Sequence, residues 1–318
     1  MSYLLICIGF IFLVKGAGFL VDGASSIAWR LRISDLVIGL TVVAFGTSAP
    51  ELFVNIVASF KGNAGIAIGN ILGSNIANIL LVLGIAAIIY PLSVARGAVW
   101  REIPLGLFAA LLFGVLANDY FMHKSSVVAI TRVDSIILLS FFLMFLLYSF
   151  KSARTSEKDA EVTLRKQYGF GSAFFLIIVG LVGLSIGGTW IVNGAEDIAR
   201  TFGVSDTFIG LTVVAIGTSL PELATSVVAV IKKQPAIALG NVVGSNIFNI
   251  LFVLGISALI KPLPFQATNN IDVGVMVVAH ILLFTAMFTG GRRMLDRWEG
   301  IVFVGLYIGY LSFLVMYA

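Results

Sequence analysis

The chain contains a succession of apolar runs, each long enough to cross a bilayer, and this feature limits its possible folds more than any other. Of its 318 residues, 59% are apolar and only 11% are charged, which is far from the composition of a soluble globular domain. In lipid, the backbone must satisfy its hydrogen bonds internally, so only helices and closed barrels can span the membrane. Runs of this length indicate helices rather than strands. The sequence therefore predicts an all-α integral membrane protein.

Charged and Pro/Gly-rich breaks divide the chain into ten predicted transmembrane helices. Their ranges are 3–28, 35–60, 64–90, 102–118, 133–150, 171–199, 206–231, 236–260, 271–289 and 298–316. One long polar loop, 151–169, separates the first five helices from the second five and is too short to fold as a domain. The chain is therefore predicted to consist of two five-helix units, 1–150 and 170–318.

An internal repeat relates these two units. Residues 34–92 align without gaps with residues 205–263, at a constant offset of 171, and 37 of the 59 positions are identical. Similarity continues upstream, where "FLVDGASSIA" corresponds to "WIVNGAEDIA". Because each unit has an odd number of helices, the second copy enters the membrane from the opposite side. The sequence predicts two inverted five-helix repeats.

The distribution of Lys and Arg predicts the orientation in the membrane. Of the 20 basic residues, Lys15 lies inside a predicted helix and only five lie in loops after even-numbered helices: Lys61, Lys124, Arg132, Arg200 and Lys261. The others lie in loops after odd-numbered helices. We therefore expect the odd loops, including 151–169, in the cytoplasm and both termini outside.

Two matching motifs interrupt the second helix of each repeat: "GTSAPE" at 46–51 and "GTSLPE" at 217–222. Proline removes a backbone donor and disturbs the preceding turn, so both helices are predicted to be broken there. Irregular backbone survives at membrane depth where it is buried in protein or lines a wet cavity. Helical spacing places the polar residues of each motif on one face, namely Thr47, Ser48, Glu51 and Asn55, and Thr218, Ser219, Glu222 and Ser226.

The third helix of each repeat adds a polar stripe, in "GNILGSNIANIL" and "GNVVGSNIFNIL". The stripes consist of Asn70, Ser74 and Asn78, and of Asn241, Ser245 and Asn249. Carboxylate, amide and hydroxyl oxygens suit Ca²⁺ or Na⁺, and the lack of His and Cys in these motifs argues against Zn²⁺ or Cu⁺. Two glycine pairs, Gly69 with Gly73 and Gly240 with Gly244, predict close packing against the broken helices. The inverted copies are expected to bring Glu51 and Glu222 together near the midplane.

Several polar residues also have structural interpretations. Amide stripes often hold membrane helices together, so packing and ligation remain alternatives for Asn70, Asn75, Asn241 and Asn246. Structural pairing or snorkelling is favoured for Lys15, Asp22, Glu196 and Asp197, and a structural role for His123 and His280.

At "GTSxPE" followed by "GNxxGSN", in both repeats, the chain resembles the sodium/calcium exchanger family, within the calcium/cation antiporter group. The resemblance covers the ten-helix layout and implies a prokaryotic, core-only exchanger. It implies that Ca²⁺ binds to Glu51 and Glu222 with the backbone oxygens of Thr47 and Thr218. It also implies flanking Na⁺ sites built from Ser48, Ser74, Ser219 and Ser245, with Thr47, Thr218 and the carbonyls of Ala44 and Ala215.

Asn249 departs from the family pattern. Members often have an aspartate there, paired with an asparagine at the position of Asn78, whereas both residues are neutral amides here. The predicted site therefore contains two acidic groups. The large cytosolic calcium-sensing insert of animal exchangers is also missing, because the 151–169 loop is too short.

The leading hypothesis is a secondary antiporter of the cell membrane that exchanges Ca²⁺ for Na⁺ by alternating access. A rival on the same fold exchanges Ca²⁺ for protons. A cation channel is disfavoured because the polar residues come from one inverted pair rather than a ring of subunits. An intramembrane protease is disfavoured because the surrounding hydroxyls and amides suit ion dehydration better. No enzymatic activity, cofactor, nucleic-acid partner or obligatory protein partner is predicted.

Overall fold

The fold is a bundle of apolar helices, described by a computed structural model for residues 2–94, 97–118, 128–155, 167–202, 215–289 and 293–317. The helices are α1 (Ser2–Leu31), α2 (Asp35–Thr47), α3 (Ala49–Lys61), α4 (Ala64–Ile89), α5 (Ala98–Ala117), α6 (Arg132–Thr155), α7 (Phe170–Thr201), α8 (Ala215–Thr218), α9 (Leu220–Ile231), α10 (Pro235–Ile260), α11 (Asn269–Ala286) and α12 (Arg297–Tyr317). Four two-residue strands are β1 (Leu92–Ser93), β2 (Ala129–Ile130), β3 (Leu263–Pro264) and β4 (Met294–Leu295).

These helices confirm the prediction of an all-α membrane protein. Within the described ranges, eight helices are long and apolar enough to cross a membrane, and the bent pair α2 and α3 makes a ninth span. The remaining predicted span, 206–231, begins outside the described residues, and its described part is α8 and α9. The polar linker also lies largely outside them, at 156–166. The total of ten transmembrane helices therefore stays a prediction, and the nine spans found among the described residues agree with it.

The fourth span begins earlier than predicted. We expected residues 102–118, because Arg101 is a charged break in the apolar pattern, but α5 starts at Ala98 with a π-helical turn that runs to Glu102. Glu102 is buried and accepts a 2.8 Å hydrogen bond from Tyr148 of α6. A partner on a neighbouring helix thus extends this helix beyond its apolar run.

The two predicted repeats meet along α1 and α7, where glycines allow backbone contact. A methyl group built on Gly9 would lie 2.9 Å from the carbonyl oxygen of Gly187, and one built on Gly16 would lie 2.8 Å from that of Gly180. Residue numbers rise along α1 as they fall along α7, so the two helices are antiparallel. Gly180 and Gly187 are the counterparts of Gly9 and Gly16 at the offset of 171. Gly9 therefore contacts the counterpart of Gly16, and Gly16 contacts the counterpart of Gly9.

The strands form a second set of contacts between the repeats. β1 pairs with β4, and β2 pairs with β3, both in antiparallel register. Both ribbons thus join the first half of the chain to the second half. Reciprocal contacts of this kind are those that a two-fold axis between equivalent units produces. They support the predicted inverted repeats. The strands themselves were not predicted, because a strand of two residues has no periodic pattern in the sequence.

Helices α4 and α10, which contain the "GNxxGSN" motifs, form the centre of the bundle. In each, 78% of the apolar stretch is buried, compared with 33% in α1 and α7. Close packing was predicted for Gly240 and Gly244, and methyl groups built there would lie 2.5 Å from the Leu36 oxygen and 2.6 Å from the Leu40 oxygen of α2. The equivalent partners of Gly69 and Gly73, at 207–211, lie outside the described residues, so that half of the expectation stays a prediction.

Candidate functional site

Both "GTSxPE" motifs break their helices at the serine. Ser48, between α2 and α3, has φ −85° and ψ 7°, and Ser219, between α8 and α9, has φ −86° and ψ 2°. The axis bends by 45° at the first break. The break places Glu51 and Glu222 in the first turns of α3 and α9. There the exposed N–H groups and the helix dipole favour a negative charge.

The two glutamates are fully buried and accept hydrogen bonds from serine hydroxyls, one of which crosses from the first repeat to the second. Ser48 donates a 3.0 Å hydrogen bond to Oε1 of Glu222, and Ser245 donates one of 3.4 Å to the same oxygen. Ser74 donates a 3.5 Å bond to Oε1 of Glu51. Both carboxylates are 0% exposed. Ser48, from the motif of Glu51, bonds to Glu222, and Ser74, which bonds to Glu51, also lies 3.5 Å from Thr218 in the motif of Glu222. The structure thus brings the two predicted carboxylates together, with side chains from both halves of the chain.

The two threonines join the same cluster. The Thr47 hydroxyl lies 2.9 Å from Oδ1 of Asn241 and 3.5 Å from the Ser245 hydroxyl. The Thr218 hydroxyl lies 3.5 Å from that of Ser74. The Ala44 carbonyl, predicted as a Na⁺ ligand, accepts hydrogen bonds from the Ser48 backbone at 3.0 Å and from the Thr47 hydroxyl at 3.3 Å. Its equivalent is Ala215, the first residue of α8, and ligation by either carbonyl stays a prediction.

Several buried oxygens of this region have no hydrogen-bond partner among the described residues. They are Oε2 of Glu51, Oε2 of Glu222, Oγ of Ser219, and Oδ1 of Asn78 and of Asn249. A buried carboxylate with a free oxygen is costly unless a cation neutralises it. No three His, Cys, Asp or Glu side chains cluster in the described residues. A cation held here would therefore bind to two carboxylates and several neutral oxygens, which is ligation typical of Ca²⁺ or Na⁺.

Asn78 is the first residue of the π-helical turn of α4, and Asn249 is the second residue of the π-helical turn of α10. The turn at Asn78 packs against α9, which carries Glu222, and the turn at Asn249 packs against α3, which carries Glu51. Asn78 donates a 3.0 Å hydrogen bond to Asn246, whereas neither polar atom of Asn249 has a partner in the described structure. The two asparagines thus lie in turns that pack against the helices of the glutamates, in different hydrogen-bonding environments. Ligation by either asparagine stays a prediction.

Asn70 and Asn241 support the broken helices from the side. The Asn70 amide lies 3.5 Å from the Glu51 carbonyl oxygen and 2.6 Å from Oδ1 of Asn55. The Asn241 amide lies 3.3 Å from the Glu222 carbonyl oxygen and 3.1 Å from Oγ of Ser226. These bonds agree with the packing alternative for both asparagines, since they fix the backbone that carries each glutamate.

A cavity of about 450 Å³ opens beside the two breaks, between α3 and α7. Its lining includes Pro50 from the first break, Thr218 from the second, and Asn193 of α7. At the corresponding place in the other repeat, Lys232 forms a 2.6 Å ion pair with Asp22 of α1. The structural pairing predicted for Asp22 is therefore confirmed. Asn193, its counterpart at the offset of 171, lines the cavity instead.

Sequence reasoning missed one connection to the site. His280 was expected to have an isolated structural role, but its ring lies 3.4 Å from the Asn246 amide, and Asn246 in turn accepts the bond from Asn78. His280 is buried in α11, a helix without a repeated motif. Its only signal in the sequence was a polar ring within an apolar span.

Known proteins resemble the chain over nearly its whole length. The family model for the sodium/calcium exchanger protein matches residues 1–151 and 172–316. The putative antiporter CaxA of Alkalimonas amylolytica is 39% identical over 313 residues, covering 96% of each chain. The sodium/calcium exchanger MaX1 of Methanosarcina acetivorans is 35% identical over 342 residues, covering 98% of this chain and 97% of MaX1.

The fold also matches a solved structure. The sodium-calcium exchanger NCX_Mj, soaked with 10 mM Na⁺ and 10 mM Sr²⁺, superposes with a TM-score of 0.83 and 34% identity, over 98% of this chain and 97% of that one. The family consists of transporters rather than enzymes. The matched ranges include both broken helices and both polar stripes. The chain is therefore an integral membrane protein that belongs to the sodium/calcium exchanger family.

Proposed function

We propose that the protein is an antiporter that exchanges Ca²⁺ for Na⁺ across the cell membrane. One observation supports this proposal above all: Glu51 and Glu222, from the two repeats, are both fully buried, a hydroxyl of the first repeat bonds to the carboxylate of the second, and each glutamate retains an oxygen without a partner among the described residues. Intramembrane carboxylates at broken helices are typical of ion pathways. The names of MaX1 and NCX_Mj as sodium/calcium exchangers point in the same direction.

Charge explains how one site serves both ions. With both glutamates ionised the site carries two negative charges, which one Ca²⁺ neutralises. The hydroxyls of Ser48 and Ser245, both bonded to Oε1 of Glu222, supply neutral oxygens next to the carboxylate. Small cations such as Na⁺ bind to such oxygens after losing water. Ca²⁺ and Na⁺ then compete for overlapping ligands, and this competition couples their movements.

The orientation belongs to the same proposal. Both termini lie outside, the 151–169 loop lies in the cytoplasm, and ten helices form two inverted repeats, 1–150 and 170–318. On this assignment Lys61, at the end of α3, faces the outside and Lys232, after α9, faces the cytoplasm. The cavity between α3 and α7 then approaches the site from the outside. Ca²⁺ extrusion is the direction that this orientation and an inward Na⁺ gradient favour.

Coupling to Na⁺ predicts an effect of membrane potential. Three Na⁺, the coupling implied by the family resemblance, would leave the loaded site with a charge of +1, whereas Ca²⁺ leaves it neutral. Each cycle then moves one net charge, worth about 2.3 kcal/mol per 100 mV if it crosses the full field. The test is Ca²⁺ uptake by Na⁺-loaded proteoliposomes clamped with K⁺ and valinomycin. We expect an inside-positive potential to accelerate uptake.

Three other results of this assay would contradict the proposal or its electrogenic coupling. Uptake that ignores the potential would indicate neutral exchange against two monovalent ions. Uptake that needs no Na⁺ but follows an imposed proton gradient would favour the H⁺/Ca²⁺ exchanger, for which the two glutamates alone suffice. Uptake without any counter-ion would indicate a channel.

The serine hydroxyls predict a selective change in Na⁺ dependence. Alanine at Ser74 or Ser245 removes a neutral oxygen beside a glutamate but leaves both negative charges. We expect the Na⁺ concentration for half-maximal exchange to rise by about tenfold, with a smaller change for Ca²⁺, because one ligand contributes on the order of 1.4 kcal/mol.

The matched control for the serine variants is Ser135→Ala. Ser135 is equally buried but bonds to the Arg132 carbonyl in α6, which contributes no residue to the site. Na⁺ and Ca²⁺ titrations of exchange in proteoliposomes give both half-saturation constants. Equal weakening of the two ions by Ser74→Ala and Ser245→Ala would overturn the Na⁺ assignment.

A further inference from the structure

A buried chain of hydrogen bonds leads from His280, which is not a predicted cation ligand, to Asn78, which is one. Nδ1 of His280 lies 2.8 Å from the Met276 carbonyl oxygen, and Nε2 lies 3.4 Å from Nδ2 of Asn246. Oδ1 of Asn246 accepts a 3.0 Å bond from Nδ2 of Asn78. The three side chains are at most 2% exposed, so each bond forms without competition from bulk water.

The partners determine the direction of every bond in this chain. A carbonyl only accepts, so Nδ1 of His280 carries the ring proton. An amide nitrogen only donates, so Nε2 faces Asn246 as an acceptor and the ring is neutral. The second hydrogen of the Asn246 amide goes to the Asn75 carbonyl oxygen, at 3.2 Å. With both hydrogens engaged, Asn246 presents its oxygen to Asn78.

This arrangement fixes the side chain of Asn78 as well. Its nitrogen is held by Asn246, so its oxygen is the atom left over, and that buried oxygen has no partner in the described structure. Asn78 lies in the turn that packs against the helix of Glu222. If the Asn78 amide were rotated by 180°, its NH₂ group would take the place of the oxygen. An NH₂ group is a hydrogen-bond donor and repels a cation, whereas a cation ligand must be an acceptor.

The internal repeat supplies a comparison within the same chain. The counterparts of Asn246, Asn78 and His280 at the offset of 171 are Asn75, Asn249 and Ala109. In that half, the Asn75 amide bonds to the Ile71 carbonyl of its own helix, at 2.7 Å, and Asn249 has no partner among the described residues. Asn246, which contacts the histidine, is thus bonded to Asn78. The equivalent pair, Asn75 and Asn249, has alanine at the position of the histidine and is not bonded.

We propose that His280 is a positioning residue: acting through Asn246, it fixes the amide of Asn78 so that the Asn78 oxygen faces the transported cation. This inference rests on the proposed function, since it requires that Asn78 is a ligand. Gly106 of α5 provides the space for the ring, because a methyl group built there would lie 3.3 Å from Cδ2 of His280. Residues that orient a metal ligand typically change the affinity by about 10- to 100-fold when they are lost.

The test uses Ca²⁺ titrations of the purified full-length protein, together with half-saturation and maximal rate of uptake in proteoliposomes. We expect His280→Leu to weaken Ca²⁺ binding by about tenfold, at an unchanged yield of folded protein. His280→Gln retains an acceptor for the Asn246 amide, so it should restore binding to within about twofold of the original. If His280→Leu does not fold, His280→Met removes the strong acceptor at a similar volume.

A double variant separates positioning from a general packing effect. If His280 acts through Asn78, the combination of Asn78→Ala with His280→Leu should bind Ca²⁺ no more weakly than Asn78→Ala alone. Full additivity, or normal affinity in His280→Leu, would overturn the inference while leaving the exchanger proposal intact. Normal Ca²⁺ affinity in Asn78→Ala would show instead that Asn78 is not a ligand, which removes the basis of the inference as well.

Discussion

Replacing either buried glutamate by glutamine should abolish most Ca²⁺ transport. Glu51→Gln and Glu222→Gln each remove one of the two negative charges that the site offers to a divalent ion. The number of charged ligands changes the Ca²⁺ affinity of protein sites by orders of magnitude. We expect uptake at sub-saturating Ca²⁺ to fall by about a hundredfold or more in each variant.

Folding should survive these substitutions. Glutamine has nearly the shape of glutamate, and its oxygen still accepts the hydrogen bonds that Ser48 and Ser245 donate to Glu222. Removing a buried charge that lacks a cationic partner relieves a desolvation penalty. The thermal stability of the cation-free protein in detergent should therefore be equal to or higher than that of the parent.

Glu102→Gln is the matched control for the two glutamate variants. Glu102 is also a buried glutamate in a membrane helix, but it bonds to Tyr148 of α6 and contacts neither broken helix through a hydrogen bond in the described structure. Uptake by this variant should stay close to that of the parent. Near-normal uptake by Glu51→Gln or Glu222→Gln, at comparable expression, would contradict the proposed site.

A single methyl group at the contact between α1 and α7 should destabilise the protein. In Gly180→Ala the new Cβ would lie 2.6 Å from the backbone nitrogen of Leu20 and 2.8 Å from the carbonyl oxygen of Gly16. Backbone atoms cannot move aside as a flexible side chain does, so the helices must separate. We expect the free energy of unfolding to fall by about 2 kcal/mol and the melting temperature by about 5 °C.

Gly305→Ala provides the comparison for Gly180→Ala. Gly305 lies in the interior of α12, and no described atom lies within 4 Å of the position of an added Cβ. The two substitutions change helix propensity and the entropy of the unfolded chain alike. Their difference in melting temperature therefore measures the packing cost alone. If Gly180→Ala melts no lower than Gly305→Ala, the close contact of the two helices is wrong.

Much of the fold followed from the sequence, because the bilayer limits the choices. Apolar length determined the helices, and proline within "GTSxPE" predicted the breaks that the structure shows at Ser48 and Ser219. The boundaries of long apolar segments can be predicted well, because the thickness of the bilayer sets their length. The start of α5 at Ala98 shows one limit: polar residues at a helix end join the helix when a neighbouring helix supplies a partner, as Tyr148 does for Glu102.

The candidate site was predictable in its residue types but not in its bonds. Repetition pointed to the glutamates, because two equivalent carboxylates in broken helices are improbable without a shared cause. The link between His280 and Asn246 joins residues on different helices, and the repeat gives no sign of it because Ala109 occupies the equivalent position. A hydrogen bond without an equivalent in the other repeat produces no repeated residue pattern, so it cannot be recognised from a single sequence.

The ion pair between Lys232 and Asp22 has a consequence for the timing of transport. Lys232 also donates a 2.8 Å bond to the Gly18 carbonyl, so it ties α9 to α1 at two points. In the other repeat, Asn193 replaces the acid and lines the cavity instead. If the protein alternates between two conformations as proposed, and the transition separates α9 from α1, an ionic contact breaks on one side without an equivalent one forming on the other. We expect the two conformations then to differ in lifetime, so that molecules without bound ions accumulate with the same side open.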